Sequence, residues 1–293
     1  MGVTARYLVA GCGYVGRRLA RALLSRGPVV GLTRSEASAA ELDAQGIDAV
    51  SWDLDSAEAP VPRGIGTPSV IYYLIAPPPA GTTDPRLRRF LAKLPARPAR
   101  IVYLSTTGVY GNTSGALVAE DAPLNPATER ATRRVDAERV VREWCERHGV
   151  GWTILRVPGI YGPGRLPMER LKRREPMIRH SEAGLSSRIH VDDLVTACLL
   201  AGSAPRAVER IYNVTDGNPT SMTEYFERVA TLTGVPPPEL VTRAEAERLL
   251  SPGLMSYLAE SRRVDSSRIR DELGFTPRFK DLRLGILSSL PAL

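Results

Sequence analysis

Cysteine, lysine and long apolar runs are scarce in this chain of 293 residues. The three cysteines (Cys12, Cys145, Cys198) are scattered and odd in number, which excludes a disulfide scaffold and a CxxC metal site and fits a reducing compartment. The three histidines (His148, His180, His190) have no HExxH or HxxxH spacing, which argues against a zinc enzyme. The longest uncharged stretch, residues 64–83, contains Pro68 and Pro77-Pro78-Pro79, so it does not read as a membrane-spanning helix. The apolar run at Tyr7 is brief and leads into glycines and Arg17-Arg18, unlike a secretory leader, and Arg6 stands where a myristoylation signal needs Ser or Thr. The expectation is a soluble cytoplasmic protein with no membrane partner. Lysine occurs only at positions 93, 172 and 280, so the net charge of +7 rests on arginine. That charge admits phosphates, anionic small molecules or nucleic acid as partners.

A hydrophobic fraction of 43% with 24% charged residues supplies a globular core. The first half alternates short apolar runs with amphipathic stretches. Strands are expected at 7–10, 29–32, 49–52, 70–75, 101–104 and 152–155. Helices are expected at 14–26, 35–45, 87–94 and from Asn125-Pro126 to His148, with Gly149 as a stop. This order predicts an α/β fold: a Rossmann-type, doubly wound parallel sheet with helices on both faces. After Gly164 the pattern changes, and a helix over 192–200 and a strand over 211–214 are followed by mostly helical sequence. The expected division is a nucleotide-binding domain over 1–164, with 189–215 returning to it, and a smaller C-terminal substrate or cap domain over 165–293.

Gly11-Cys12-Gly13-Tyr14-Val15-Gly16 reads GxGxxG between the first strand and the first helix. In that setting Gly11 permits the turn, Gly13 admits a pyrophosphate, and Gly16 lets helix and strand close, with the phosphates at the helix N-terminus. The second strand ends Leu32-Thr33-Arg34-Ser35 without the acid that selects NAD, so NADP is the expected cofactor and NAD the alternative. Arg34 can pair with a 2′-phosphate while Thr33 and Ser35 donate hydrogen bonds, or Arg34 is simply a solvated arginine. Asp53 and Leu54 close the third strand at the adenine end. Ala76, Thr106, Arg134 and Pro158 complete the expected cofactor contacts.

The glycine loop, Ser105-Thr106-Thr107-Gly108-Val109-Tyr110-Gly111, Glu120-Asp121-x-Pro123, Arg156-Val157-Pro158-Gly159-Ile160-Tyr161-Gly162-Pro163-Gly164 and Ile189-His190-Val191-Asp192-Asp193-Leu194 occur in one order along the chain. In these motifs the sequence resembles the extended short-chain dehydrogenase/reductase superfamily, the NAD-dependent epimerase/dehydratase-like proteins. The resemblance implies a catalytic Ser/Thr, here Thr106, and a YxxxK helix. None of the ten tyrosines has lysine four residues later. Aligned through Asn125-Pro126 and Ala137-Glu138, the helix carries Arg130 at the tyrosine position and Arg134 at the lysine position, as in an atypical subgroup. Arginine stays protonated and is a poor proton donor. The proton would then come from Tyr161, Tyr110, water or the substrate. His190 is read as structural, and Asp192 and Asp193 as helix caps.

Arg165, Arg170, Lys172, Arg173 and Arg174 follow the sixth strand, where the resemblance implies a substrate cleft. They suit an anionic small-molecule substrate. Nucleic acid is disfavoured, because no aromatics are interleaved and no binding motif accompanies the charge. Val135, Val140, Val141 and Trp144 could form a homodimer patch or simply cover the sheet. Two functions follow: an NADP(H)-dependent oxidoreductase or epimerase/dehydratase-like enzyme with a non-standard site, or a non-catalytic NADP(H)-binding sensor.

Overall fold

The computed structural model describes residues 6–258 and 260–291. Its main sheet has seven strands: β1 Tyr7–Ala10, β2 Val29–Thr33, β3 Ala49–Ser51, β4 Val70–Tyr73, β5 Arg100–Thr106, β6 Gly151–Val157 and β7 Arg210–Asn213. All pair in parallel, in the order β7-β6-β5-β4-β1-β2-β3. The order reverses between β1 and β4, and a parallel sheet opens its ligand crevice beyond the strand ends at such a point.

Alternate side chains of each strand enter different layers. Val9 packs with helices α1 (Tyr14–Leu23) and α5 (Val191–Ser203), through Val15, Leu19, Leu194 and Cys198. Leu8 and Ala10 face α3 (Pro85–Ala92) and α4 (Glu129–His148), through Leu87, Phe90, Ala137 and Val141. Helix α2 (Glu36–Asp43) starts as its sequence predicts, with the Ser35 hydroxyl accepting the Ser38 N–H. Gly149, at φ +64°, ends α4.

Two helix starts differ from expectation. Helix α4 begins at Glu129, not at Asn125, because the Asn125 N–H is bonded to the Val109 carbonyl and Thr128 provides the cap. Helix α5 is capped by His190, whose Nδ1 accepts the Asp192 N–H. Asp193 is therefore not a cap: its carboxylate accepts the N–H groups of Arg278 and Phe279 and ties the C-terminal segment to α5.

A second core gathers Tyr161, Met177, Ile178, Leu282 and Ile286 around helix α6 (Met222–Thr233). Residues after 164 do not all belong to it. Strand β7, helix α5 and the helix Ser267–Leu273 pack on the main sheet or its α1 layer. On α4, Val141 is buried in the core, Val140 and Trp144 pack against the same cluster, and Val135 packs beside Val109 and Tyr110. The exposed side of α4 carries Arg139 and Glu143 as an ion pair. Among the described residues no helix is long and apolar enough to cross a membrane.

Candidate functional site

The three glycines of the loop serve different needs. Gly11 has φ +100°, and a Cβ there would lie 2.9 Å from the Ile75 nitrogen. A Cβ on Gly16 would lie 2.3 Å from the Gly11 carbonyl oxygen. Both are required by the protein's own packing. A Cβ on Gly13 would meet nothing within 4 Å. The chain leaves open the one position where a side chain would obstruct a ligand. The first α1 hydrogen bond runs from Arg17 N–H to Gly13 O, so the N–H groups of Tyr14, Val15 and Gly16 have no helical acceptor. This cradle fits a dinucleotide diphosphate.

At the end of β2, Arg34 is exposed and has no carboxylate partner among the described residues. The expected help from its neighbours is not available. The Thr33 hydroxyl is turned inward and donates to the Ser35 carbonyl, while the Ser35 hydroxyl caps α2. Asp53 is exposed and accepts the Asp55 N–H. Leu54 is buried in the α3/α4 layer. Asp55, held below the usual carboxylate range by its hydrogen bonds to Arg86, fixes that arginine, which also donates to the Ala76 carbonyl.

Next to this rim lies a cleft of about 740 Å³. Ala76 and Pro77-Pro78-Pro79 form one wall, the end of β5 with Thr106 the floor, and Val157–Ile160, including Pro158, a second wall. Seven arginines reach it: Arg130, Arg133, Arg134, Arg165, Arg170, Arg188 and Arg262. Glu260 is its one acid and pairs with Arg262 at 2.6 Å. Arg134 donates to the Tyr103 hydroxyl and the Leu104 carbonyl. Arg130 lies with its guanidinium carbon 4.0 Å from the centre of the Tyr257 ring and has no carboxylate partner among the described residues. Thr106 Oγ1 accepts the Gly108 N–H at 3.1 Å, which leaves its own O–H to donate.

Thr106, Arg130, Arg134, Ala76 and Pro158 thus share the cleft, with Arg165 and Arg170 from the basic stretch. Arg170 also lies 3.7 Å from Glu175, and Lys172 and Arg173 pair with Glu169 and Glu175. Tyr161 is a correction. It is 2% exposed and packs edge-on to His190 and Tyr225 in the second core, with its hydroxyl against Gly285. It ends the short strand Gly159–Tyr161 without lining the cleft, and burial raises its pKa. Tyr110 is also withdrawn: its hydroxyl donates to Asn213 Oδ1 and accepts from Arg156, which is ion-paired to Glu138. Sequence reasoning missed Arg133, Arg188, Tyr257, Glu260 and Arg262 as cleft residues. The last three lie far along the chain in sequence without a motif. Arg133 had a signal, one step along α4 from the two arginines already considered. The described residues hold no cluster of His, Cys, Asp or Glu fit for a metal.

Sheet order, glycine cradle and cleft define a dinucleotide-fold protein with a second core built onto the sheet. The sequence profile of the NAD dependent epimerase/dehydratase family matches residues 7–215, and the chain belongs to that family. Protein YeeZ of Escherichia coli K12 is 29% identical over 183 residues, which are 62% of this chain and 59% of YeeZ. The chain thus spans about six tenths of that relative. A 3-diazoavenalumate denitrifying reductase from a Streptomyces species is 28% identical over 96% of this chain and 99% of its own. A solved structure of a functionally unknown conserved protein from Silicibacter pomeroyi superposes with a TM-score of 0.79 at 30% identity, covering 97% of each chain. MoeE5 in complex with UDP-glucose and NAD shares the fold, with a TM-score of 0.74 at 24% identity and 97% coverage of each chain.

Proposed function

We propose that the protein is an NADP(H)-dependent oxidoreductase or epimerase/dehydratase-like enzyme acting on an anionic small molecule, in a cleft whose proton chemistry does not use YxxxK. The observation that carries the reading is the open space at Gly13 beside free α1 N–H groups, directly next to an arginine-lined cleft. Gly11, Gly13 and Gly16 with the N–H groups of Tyr14, Val15 and Gly16 would hold the diphosphate. Arg34 would meet the 2′-phosphate, giving preference for NADP over NAD. When bound, the nicotinamide supplies or accepts hydride.

Thr106 donates its free O–H to the reacting oxygen and fixes it. Arg130 and Arg134 cannot serve as acid, because guanidinium does not release its proton in proteins. Tyr257 is the phenol at the cleft, 55% exposed and stacked on Arg130, so its Oη is the atom assigned to hold and return the proton with solvent as its reservoir. Arg130 and Arg165, both without a carboxylate partner among the described residues, attract the substrate's acid group.

The test is NADPH consumption over a panel of carbonyl compounds with and without a carboxylate or phosphate. Turnover confined to the acidic members is expected. Absence of turnover across the panel, with NADPH still bound, would favour the sensor, a reading that the missing dyad also supports.

A further inference from the structure

Helix α1 opens with Tyr14, and the loop after β6 is built around that ring. Its hydroxyl donates to the Pro163 carbonyl at 3.0 Å. A Cβ on Gly162, at φ +148°, would lie 2.7 Å from the same hydroxyl oxygen, so the loop approaches closely only because that residue is glycine. The Arg165 guanidinium carbon lies 4.1 Å from the ring centre and that of Arg18 4.2 Å. Arg18 is anchored to the Tyr14 carbonyl. Arg165 makes no side-chain hydrogen bond or ion pair among the described residues, is exposed, and also lines the cleft.

We propose that Arg165 is a ligand of the cofactor diphosphate, contributed by the loop after β6 and set in place by its stack on Tyr14, so that the substrate side of the molecule takes part in holding the nucleotide. The inference rests on the dinucleotide reading above. The ring on which Arg165 lies belongs to the first residue of the helix whose free N–H groups would face the diphosphate. Stacking through the ring leaves the five N–H donors of the guanidinium edge for phosphate oxygens. A mobile lysine would bring charge without that fixed plane. Because the same side chain borders the cleft, an acidic substrate and the diphosphate would share it, and each would alter the affinity of the other by the same factor.

The experiment is fluorescence titration of NADPH and NADH into the unmutated protein, Arg165→Ala, Arg165→Lys and Arg34→Ala. Arg165 is exposed, so its variants keep the fold, and a thermal melt checks this. Arg165→Ala should weaken both cofactors about tenfold or more, the loss expected for a charge-assisted phosphate contact. Arg165→Lys should recover only part of it. Arg34→Ala should weaken NADPH alone, because the 2′-phosphate is absent from NADH. Equal affinity of Arg165→Ala and the unmutated protein for both cofactors would overturn the Arg165 assignment and leave the dinucleotide reading standing. Failure of the unmutated protein to bind either cofactor would overturn both.

Discussion

The glycine loop and the cleft of this molecule obey different logics. In the first, six consecutive residues set the geometry: Gly11 must turn, Gly16 must admit the helix, and a Cβ on Gly13 would meet nothing within 4 Å. In the second, cleft residues come from β5, α4, the loop after β6 and the C-terminal region, meeting only after the chain folds. The glycine loop is a local motif, whereas the cleft is dispersed, and no tyrosine of the chain has a lysine four residues later.

The sharpest way to test this contrast is within the loop itself. Gly16→Val should unfold or strongly destabilise the protein, because its Cβ would sit inside van der Waals contact of the Gly11 carbonyl. Gly13→Val should leave the melting temperature nearly unchanged yet abolish NADPH binding, since its side chain meets only the ligand's space. Titration and thermal melts on the two variants check both. Loss of stability in Gly13→Val as large as in Gly16→Val would break the distinction.

The next effect is at the cleft. Thr106→Ala should lower turnover by ~10²–10³-fold, the cost of one oxygen-fixing donor in the transition state, with cofactor affinity little changed. Tyr257→Phe should lower turnover by ~10²–10⁴-fold, the range for a general acid. Activity of Tyr257→Phe equal to the unmutated enzyme would return the proton to water or the substrate.

A smaller effect is expected at the rim. Arg34→Ala should weaken NADPH by about 1.5–3 kcal/mol relative to NADH, as for hydrogen bonds to charge. Arg34 stands alone there because Thr33 and Ser35 are committed to their own backbone. Equal affinities of the unmutated protein for both cofactors would remove the 2′-phosphate role.

What could be read from sequence follows the same divide. All seven strands of the main sheet were legible, the central ones because parallel strands buried on both faces are short apolar runs. Motif order singled out Thr106 and Arg130, and both line the cleft. Tyr161 was misplaced, since its motif fixes the position along the chain but not which side of the strand the ring takes; the partners on that side, His190 and Tyr225, are remote in sequence. Tyr257, Glu260 and Arg262 carried no local signal, because only the closure of the C-terminal region brings them to the cleft. The start of α4 was missed by a single tertiary bond, from Asn125 N–H to Val109 O.

Charge is buried in both regions. Beside the sheet Arg156 pairs with Glu138 at 2.8 Å, and behind the cleft Arg188, His190, Asp193 and Asp216 are buried. Asp216 is 3% exposed, and burial lifts its pKa from 3.8 to about 7, only partly opposed by the Asn218 N–H bond and the nearby Arg188 charge. Between about pH 4 and pH 7 the unfolded chain carries this carboxylate ionised while the folded chain keeps it protonated. The folded state then binds more protons, so stability should fall as pH rises through that window and level off above it. The slope for one group is at most about 1.4 kcal/mol per pH unit. Asp216→Asn keeps an oxygen for the Asn218 N–H and removes the titration, so it should flatten the slope and leave the variant more stable than the original at pH 7. Urea unfolding at pH 4.5 and pH 7 on both proteins measures this. A slope unchanged by Asp216→Asn would place the pH sensitivity outside this buried group.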